Sequence, residues 1–271
     1  MPVALRNVAF EEGHAGPFDV RCAADIRPAA EALYRLALSL VNLRAAPCAN
    51  IASKEPMVDA EGAVLAEEVF GWIEPELSWW RNSRIALTSP LVSACRYESE
   101  PFWCNQHGIH VRHRTRQIDA LDLTDFCARA MTHTAAIVVP IHLPFGQIAA
   151  VSFMSLEPDR IDLSAEYDEH ADTLEYAARR FICGYVKVHD RQSLVQPDVR
   201  LSKREVECLR WAALGKTDQE IATIMQRSSA TVRFHTHNAA MKLDAVNRSQ
   251  TVFKASQLGY LGAVNLRCPQ T

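Results

Sequence analysis

LSKREVECLRWAALGKTDQEIATIMQRSSATVRFHTHNAAMKLDAVNRSQTVFKASQLGYL, residues Leu201–Leu261, is the stretch whose reading decides the fold of this chain. Its helix boundaries are written into the residues. Ser202 with Glu205 three positions on is a capping box, in which the hydroxyl accepts from a free amide and the carboxylate returns the bond. Val206, Leu209, Ala212 and Ala213 follow at helical spacing, and Gly215 stands where a left-handed residue ends the helix. Thr217 and Glu220 repeat the box, with Ile221, Ala222 and Met225 as the buried stripe of a short second helix. The turn Gln226-Arg227-Ser228 leads to a third helix over 229–243, with Ser228 as its N-cap. Val232, Ala239, Met241 and Leu243 are expected to pack inward; Arg233, His237, Asn238 and Lys242 are expected to point outward. Asn247 caps a fourth helix that lines up Val252, Ala255, Leu258 and Leu261.

Charge is divided along the chain. Residues 200–271 hold eleven Lys and Arg against five Asp and Glu, a net of +6, whereas residues 1–199 carry −9, giving the overall −3. A near-neutral whole thus hides a basic module on an acidic body, and phosphate contacts need only local positive charge. A basic, compact helical unit that offers a short polar helix to solvent suits the DNA major groove. An ordinary bundle with a solvated basic face is the plainer alternative; the paired boxes and the tight turn weigh against it.

At these residues the segment resembles the C-terminal helix-turn-helix domain of LuxR-type transcriptional regulators. The pattern is carried by Leu201, Glu205, Leu209, Gly215, Lys216, Glu220, Ile221, Ala222, Thr231, Val232, Lys242, Leu243, Asn247, Arg248 and Gln250, without a gap over about 200–262. The resemblance implies that the third helix reads bases and the fourth helps dimerise the domain. It places Arg233 and His237 at base or backbone contacts, with Asn238 on the same helix. Lys216, Thr231 and Lys242 are expected as phosphate anchors, which position a helix without reading sequence. Arg233 can bind guanine in a bidentate way. The implied partners are a double-stranded DNA operator and a second copy of the chain.

A length of 271 residues suits two domains, and 48% hydrophobic with 23% charged residues is enough for a core in each. No run of about 18 apolar residues predicts a membrane span, and the acidic N-terminus does not read as a signal peptide. Eight scattered cysteines without a C-x-x-C pair fit a reducing cytoplasm and buried packing rather than a zinc site. No cofactor is expected. The polar stretch HDRQSLVQPDVR, His189–Arg200, reads as a linker. The expected division is therefore a sensor and dimerisation domain over 1–188, a linker over 189–199 and the DNA-binding domain over 200–271.

The N-terminal part reads as α+β, an α/β/α sandwich. A helix is expected over 21–45 and strands over 47–54 and 64–73, the latter open to a helical reading. Further helices are expected over 75–95 and 118–131. AAIVVPIHL (135–143) and QIAAVSFMS (147–155) predict a strand pair turned by Pro144-Phe145-Gly146, and an acidic helix follows over 164–189. Trp72, Trp79, Trp80, Phe102 and Trp103 crowd into about thirty residues. Core filling explains any one of them; as a set they suggest the wall of a ligand pocket.

The order and spacing here are similar to the autoinducer-binding domain of LuxR-type quorum-sensing receptors, with Pro140 and Gly146 in place. The resemblance implies a small signal molecule in a pocket that includes Trp72, Glu76, Trp80, Ser89, Trp103 and Ser152. Three positions depart from the family. Ser89 replaces an aspartate that accepts the amide of an acyl-homoserine lactone, and so lacks the charge-assisted bond. Glu76 stands where a tryptophan donates to the lactone carbonyl, and an ionised carboxylate only accepts. Ala136 replaces a glycine. The pocket is therefore expected to hold something other than a standard acyl-homoserine lactone, although Glu76 also reads as an ordinary solvated helix residue. The other reading is a ligand-independent regulator whose tryptophans fill its own pocket.

Catalysis is not expected. His107, His110 and His113 are spaced by threes, but a strand there would turn His110 away from its partners. No nucleophile elbow, phosphate-cradling glycine loop or H-E-x-x-H is present. A phosphoacceptor domain is also set aside, because residues 1–130 do not alternate strand and helix with acids at strand ends.

Overall fold

The computed structural model describes residues 16–53, 55–72, 89–121, 135–155, 157, 159–189 and 199–262. It resolves into two compact units, one within 16–189 and one within 199–262, the hairpin turn 144–146 aside.

The first unit opens with a single 3-10 turn, Ala23–Asp25, that runs into α1, Ile26–Val41. Ile26, Ala29, Ala30, Leu33, Ala37 and Val41 are its buried side, spaced by threes and fours as one helical face requires. Asn42 then adopts a left-handed conformation, with φ of 50°, and stops the helix. The expected helix over 21–45 is thus shorter than predicted, and its last residues belong to β1, Arg44–Cys48. The strand expected over 47–54 starts and ends earlier. Residues 64–73 contain a one-turn helix, α2 (Leu65–Glu68), so the helical option for that segment holds. Within the described parts of the next two expected helices lie α3, Pro90–Tyr97, and α4, Arg116–Asp119. The remainder of both, 75–88 and 122–131, is outside the described residues.

Between α3 and α4 the chain forms a hairpin: β2, Phe102–Asn105, which the sequence reading missed, and β3, Gly108–His110, in the histidine stretch where a strand was considered. Every residue of β2 is buried, so FWCN has no alternation to reveal a strand. β4 (Ala135–His142) and β5 (Ile148–Met154) match the expected pair. The sheet is antiparallel in the order β1-β5-β4-β2-β3. β2 pairs only with residues 135–138 of β4, so Pro140 sits where β4 has β5 alone as a neighbour and its missing N–H is tolerated. Pro47 is likewise on the edge strand β1.

One face of the sheet, with Ala45, Trp103, Ile137, Val139, Val151 and Phe153, packs on α1 and on α5, Ser164–His189. The other, with Phe102, Cys104, Ala136, Val138 and Ala150, packs on Leu91, Val92 and Cys95 of α3 and Ile118 of α4. This is the α/β/α arrangement. Hydrogen bonds tie its periphery: Tyr185 Oη of α5 accepts from Val58 N at 3.0 Å, and Tyr167 Oη donates to Pro101 O at 2.8 Å.

The second unit comprises α6 (Lys203–Ala213), α7 (Asp218–Met225), α8 (Ser229–Lys242) and α9 (Arg248–Gln257). Leu209, Ala239, Leu243, Ala255 and Leu261 form one core cluster; Cys208, Ile221, Ala222 and Val232 form another. Met241 departs from expectation, being 68% exposed rather than buried. Of the apolar residues expected on α6, Leu209 is buried while Ala213 is exposed, and Cys208 and Glu205 complete the inward side.

Gly184 in α5 gives a test of this packing. A Cβ there would lie 2.6 Å from Val20 O and 2.8 Å from Val20 Cβ. Helix propensity alone favours alanine over glycine by about 1 kcal/mol. Overpacking against a fixed backbone costs about 1–3 kcal/mol, so the clash is expected to win. Gly184→Ala should lower the denaturant midpoint of the full chain; an unchanged or raised midpoint would show that residues 19–22 yield freely.

Candidate nucleic-acid interface and ligand cleft

The N-cap side chains of the second unit do what the sequence requires. Ser202 Oγ accepts from Glu205 N at 3.3 Å, while Glu205 Oε2 accepts from Ser202 N at 2.7 Å. Thr217 and Glu220 repeat this at 3.3 and 2.7 Å. Ser228 Oγ accepts from Thr231 N at 3.1 Å, and Asn247 Oδ1 from Gln250 N at 2.8 Å. Gly215 has φ of 79°. The turn between α7 and α8 relies on Gln226, left-handed at φ 53°, with Arg227 N donating to Ala222 O at 2.9 Å. No glycine marks that position, so the sequence does not advertise it.

α8 is anchored by Val232 and Ala239. At 100° per residue, Ala230, Arg233, Phe234, His237 and Met241 share an arc of about 100° on the opposite side, and all are exposed. Thr231 and Asn238 lie at the shoulder of this arc and are half-buried, with Thr231 Oγ1 2.8 Å from Ser228 Oγ. The outward set expected from sequence is therefore divided: Arg233 and His237 project freely, Asn238 less so.

Lys242 is the clearest departure. Its Nζ donates to both Glu205 oxygens, at 2.9 and 2.8 Å. Glu205 is 3% exposed and already holds the amide of Ser202. The ammonium thus joins the end of α8 to the start of α6 rather than standing free for a phosphate. Burial pushes the Glu205 carboxyl up, but the bonds from Lys242 and Ser202 outweigh it and hold it below the ordinary glutamate value. Lys216 Nζ lies 3.9 Å from Glu220, and its carbonyl accepts from Arg248 Nη2 at 2.6 Å. Arg248 also pairs with Asp218, tying the start of α9 to the start of α7. Sequence analysis assigned Arg248 only a pattern match.

In the first unit a cleft of about 60 Å³ lies between α3 and the sheet. Ser152 lines it, with Cys48, Val138, Leu91, Cys95 and Met57. Ser89 precedes α3; it is 2% exposed and its hydroxyl has no hydrogen-bond partner. Trp72 and Trp103 are not brought to this cleft. Trp103 belongs to the α1/α5 face, stacked on His110 with centroids 3.9 Å apart and planes 10° apart. Trp72 packs against the same cluster and donates from Nε1 to Ala45 O at 2.7 Å. For Trp103 the physical reason is pleat parity: alternate residues of one strand face opposite sides of the sheet. Glu76 and Trp80 lie outside the described residues, as does Trp79.

The histidine triplet is dispersed. His110 stacks on Trp103, while His113 is exposed and lies 3.9 Å from Glu100. Among the described residues no group of three or more His, Cys, Asp or Glu side chains could hold a metal. The cleft thiols are poor nucleophiles at neutral pH, because burial raises Cys48 and pushes Cys95 up to about 12.

A capped helical unit with an exposed arc bearing Arg233 and His237 on its third helix is the arrangement of a helix-turn-helix DNA-binding module. Residues 199–255 match the family model described as bacterial regulatory proteins, luxR family. The transcriptional activator protein VanR of Vibrio anguillarum is 36% identical over 134 residues, covering 49% of this chain and 55% of VanR. The regulatory protein SdiA of Escherichia coli is 31% identical over 134 residues, with the same two shares. The chain thus spans about half the length of these curated relatives. A solved structure of SdiA in complex with octanoyl-rac-glycerol superimposes with a TM-score of 0.43 at 22% identity, covering 86% of this chain and 89% of that one. Among the described residues no helix is long and apolar enough to cross a membrane.

Lys242→Ala leaves Glu205 buried without its cation and should destabilise the second unit by about 2 kcal/mol. The carboxyl is held below its unfolded value. Its contribution is therefore present above the ordinary glutamate range and fades as pH falls through the lower folded value. Acid unfolding followed by circular dichroism should show that step flattened in Lys242→Ala. Equal acid profiles would dismiss the pair as a stabilising element.

Proposed function

We propose that this chain is a transcriptional regulator of the quorum-sensing type, binding an inverted-repeat operator in the cytoplasm as a homodimer. The single observation that carries the reading is the exposed arc of α8, with Arg233 and His237 free on a unit whose own charge is positive. In this reading Arg233 and His237 meet base edges. Thr231, Asn238 and Lys216 are assigned to backbone positioning, and Lys242 holds α8 in place. Residues 1–188 form the sensor and dimerisation domain, joined through 189–199 to the DNA-binding domain at 200–271.

The sensor is assigned a small signal molecule other than a standard acyl-homoserine lactone, held near Ser89 and Ser152. The orphan hydroxyl of Ser89 supports this. A donor that also accepts can serve a carbonyl, which the aspartate of relatives cannot. Glu76 and Trp80 are carried as ligand contacts by resemblance, whereas Trp72 and Trp103 are better explained as core. A second reading has its own support. The cleft measures about 60 Å³, whereas ligand sites are usually about 300 Å³ or more. That favours a regulator needing no ligand.

DNA reading and ligand sensing are tested separately. Arg233→Ala should cost about 1–3 kcal/mol of discrimination between cognate and altered operators, with the melting temperature unchanged. Binding that keeps its full discrimination would remove Arg233 from the reading set. Lys216→Ala should weaken all sequences alike and reduce the salt slope by about one. For the sensor, thermal unfolding across a small-molecule panel should show a concentration-dependent rise with a non-lactone ligand. A rise with acyl-homoserine lactones would overturn the altered-pocket claim, and no rise with any compound supports the ligand-free reading.

A further inference from the structure

Apolar residues lie on both sides of α8. Val232 and Ala239 are buried, yet Phe234 is 61% exposed on the opposite arc, between Arg233 and His237. Its ring meets the edge of His235, with centroids 5.6 Å apart. Nothing in the unit's two cores uses it. A large aromatic left in water forgoes the stabilisation that burial would supply, so its position on this face asks for a partner.

The surroundings say what that partner is. Arg233 precedes Phe234, His237 lies one turn on, and Ala230 one turn before. Small Ala230 leaves the approach to the N-terminal half of α8 open, the half that reaches base edges in this motif. A cationic setting with an apolar knob fits the floor of a major groove, where the thymine 5-methyl group is the apolar feature among donors and acceptors. Met241 is also exposed on this arc, but Arg233 and His237 share it, and a protein partner would more readily be met by a continuous apolar patch without charge at its centre.

We propose that Phe234 is a specificity-determining residue that packs on a thymine 5-methyl group next to the base met by Arg233. This deepens the operator-reading function and rests on it. Phe234 supplies shape and apolar contact where Arg233 supplies hydrogen bonds, so each half-site contains a required thymine beside its required guanine.

The experiment begins with selection of binding sites from random duplexes by the full chain. Each thymine of the selected half-site is then replaced by deoxyuridine, which removes the methyl group alone. Wild-type protein should lose about fourfold in affinity per half-site at one thymine, the change that one buried methyl-sized group carries. Phe234→Ala, at an exposed position, should keep its melting temperature, bind thymine and deoxyuridine sites equally, and retain guanine preference. If no duplex is enriched, the operator-reading function fails and this inference with it. If duplexes are enriched but deoxyuridine is neutral for the wild type, or the penalty persists in Phe234→Ala, only the inference fails.

Discussion

The DNA-binding unit depends on one buried carboxylate. Glu205 closes the first capping box on Ser202 and receives Lys242 from the far end of α8. Helix packing by Leu209 and Ala239 supplies adhesion but little direction, since apolar contact is not directional. The charged bonds fix the register of α8 against α6. With that register set, the arc bearing Arg233, Phe234 and His237 faces solvent and the arc bearing Val232 and Ala239 faces the core. A buried charge with three donated bonds is costly to rearrange, and this gives the reading helix a defined orientation.

A comparable constraint governs the first unit. The antiparallel sheet is a wall with apolar material on both sides, and pleat parity allots each strand residue to one side. Trp103 goes to the α1/α5 side and Phe102 to the α3 side. The cleft therefore draws on Ser152, Cys48 and Val138 and excludes the tryptophan beside them in sequence logic. Its polar side chains are Ser53, Glu55 and Ser152, and Ser89, at the head of α3, has a buried hydroxyl with no partner. Loop 55–58 borders the cleft through Met57 and is tied to α5 through Val58 and Tyr185.

Legibility in the sequence followed the range of the interactions. Ser202, Thr217, Ser228 and Asn247 were readable as caps because a cap bonds within three residues. β4 and β5 were readable because a β-branched pair around a tight turn is a local signal. β2 was not: four residues buried on both faces have neither period. Lys242 is exposed as expected, but its pairing with Glu205, 37 positions away, was not legible; Met241 was expected inward although a spacing of about 100° per residue sets it opposite Val232 and Ala239.

The sequence by itself determined the four-helix DNA-binding unit, its helix ends and its positive charge, since all of these arise within a few residues of one another. It also determined that a sheet hairpin follows a mixed N-terminal region. Tertiary structure alone decided that Trp72 and Trp103 pack on the α1/α5 side, that Lys242 pairs with Glu205 and that Phe234 and Met241 are left exposed on α8. Those outcomes depend on strand pairing and on contacts between residues distant in the chain, where a one-residue change of register moves a side chain to the opposite side.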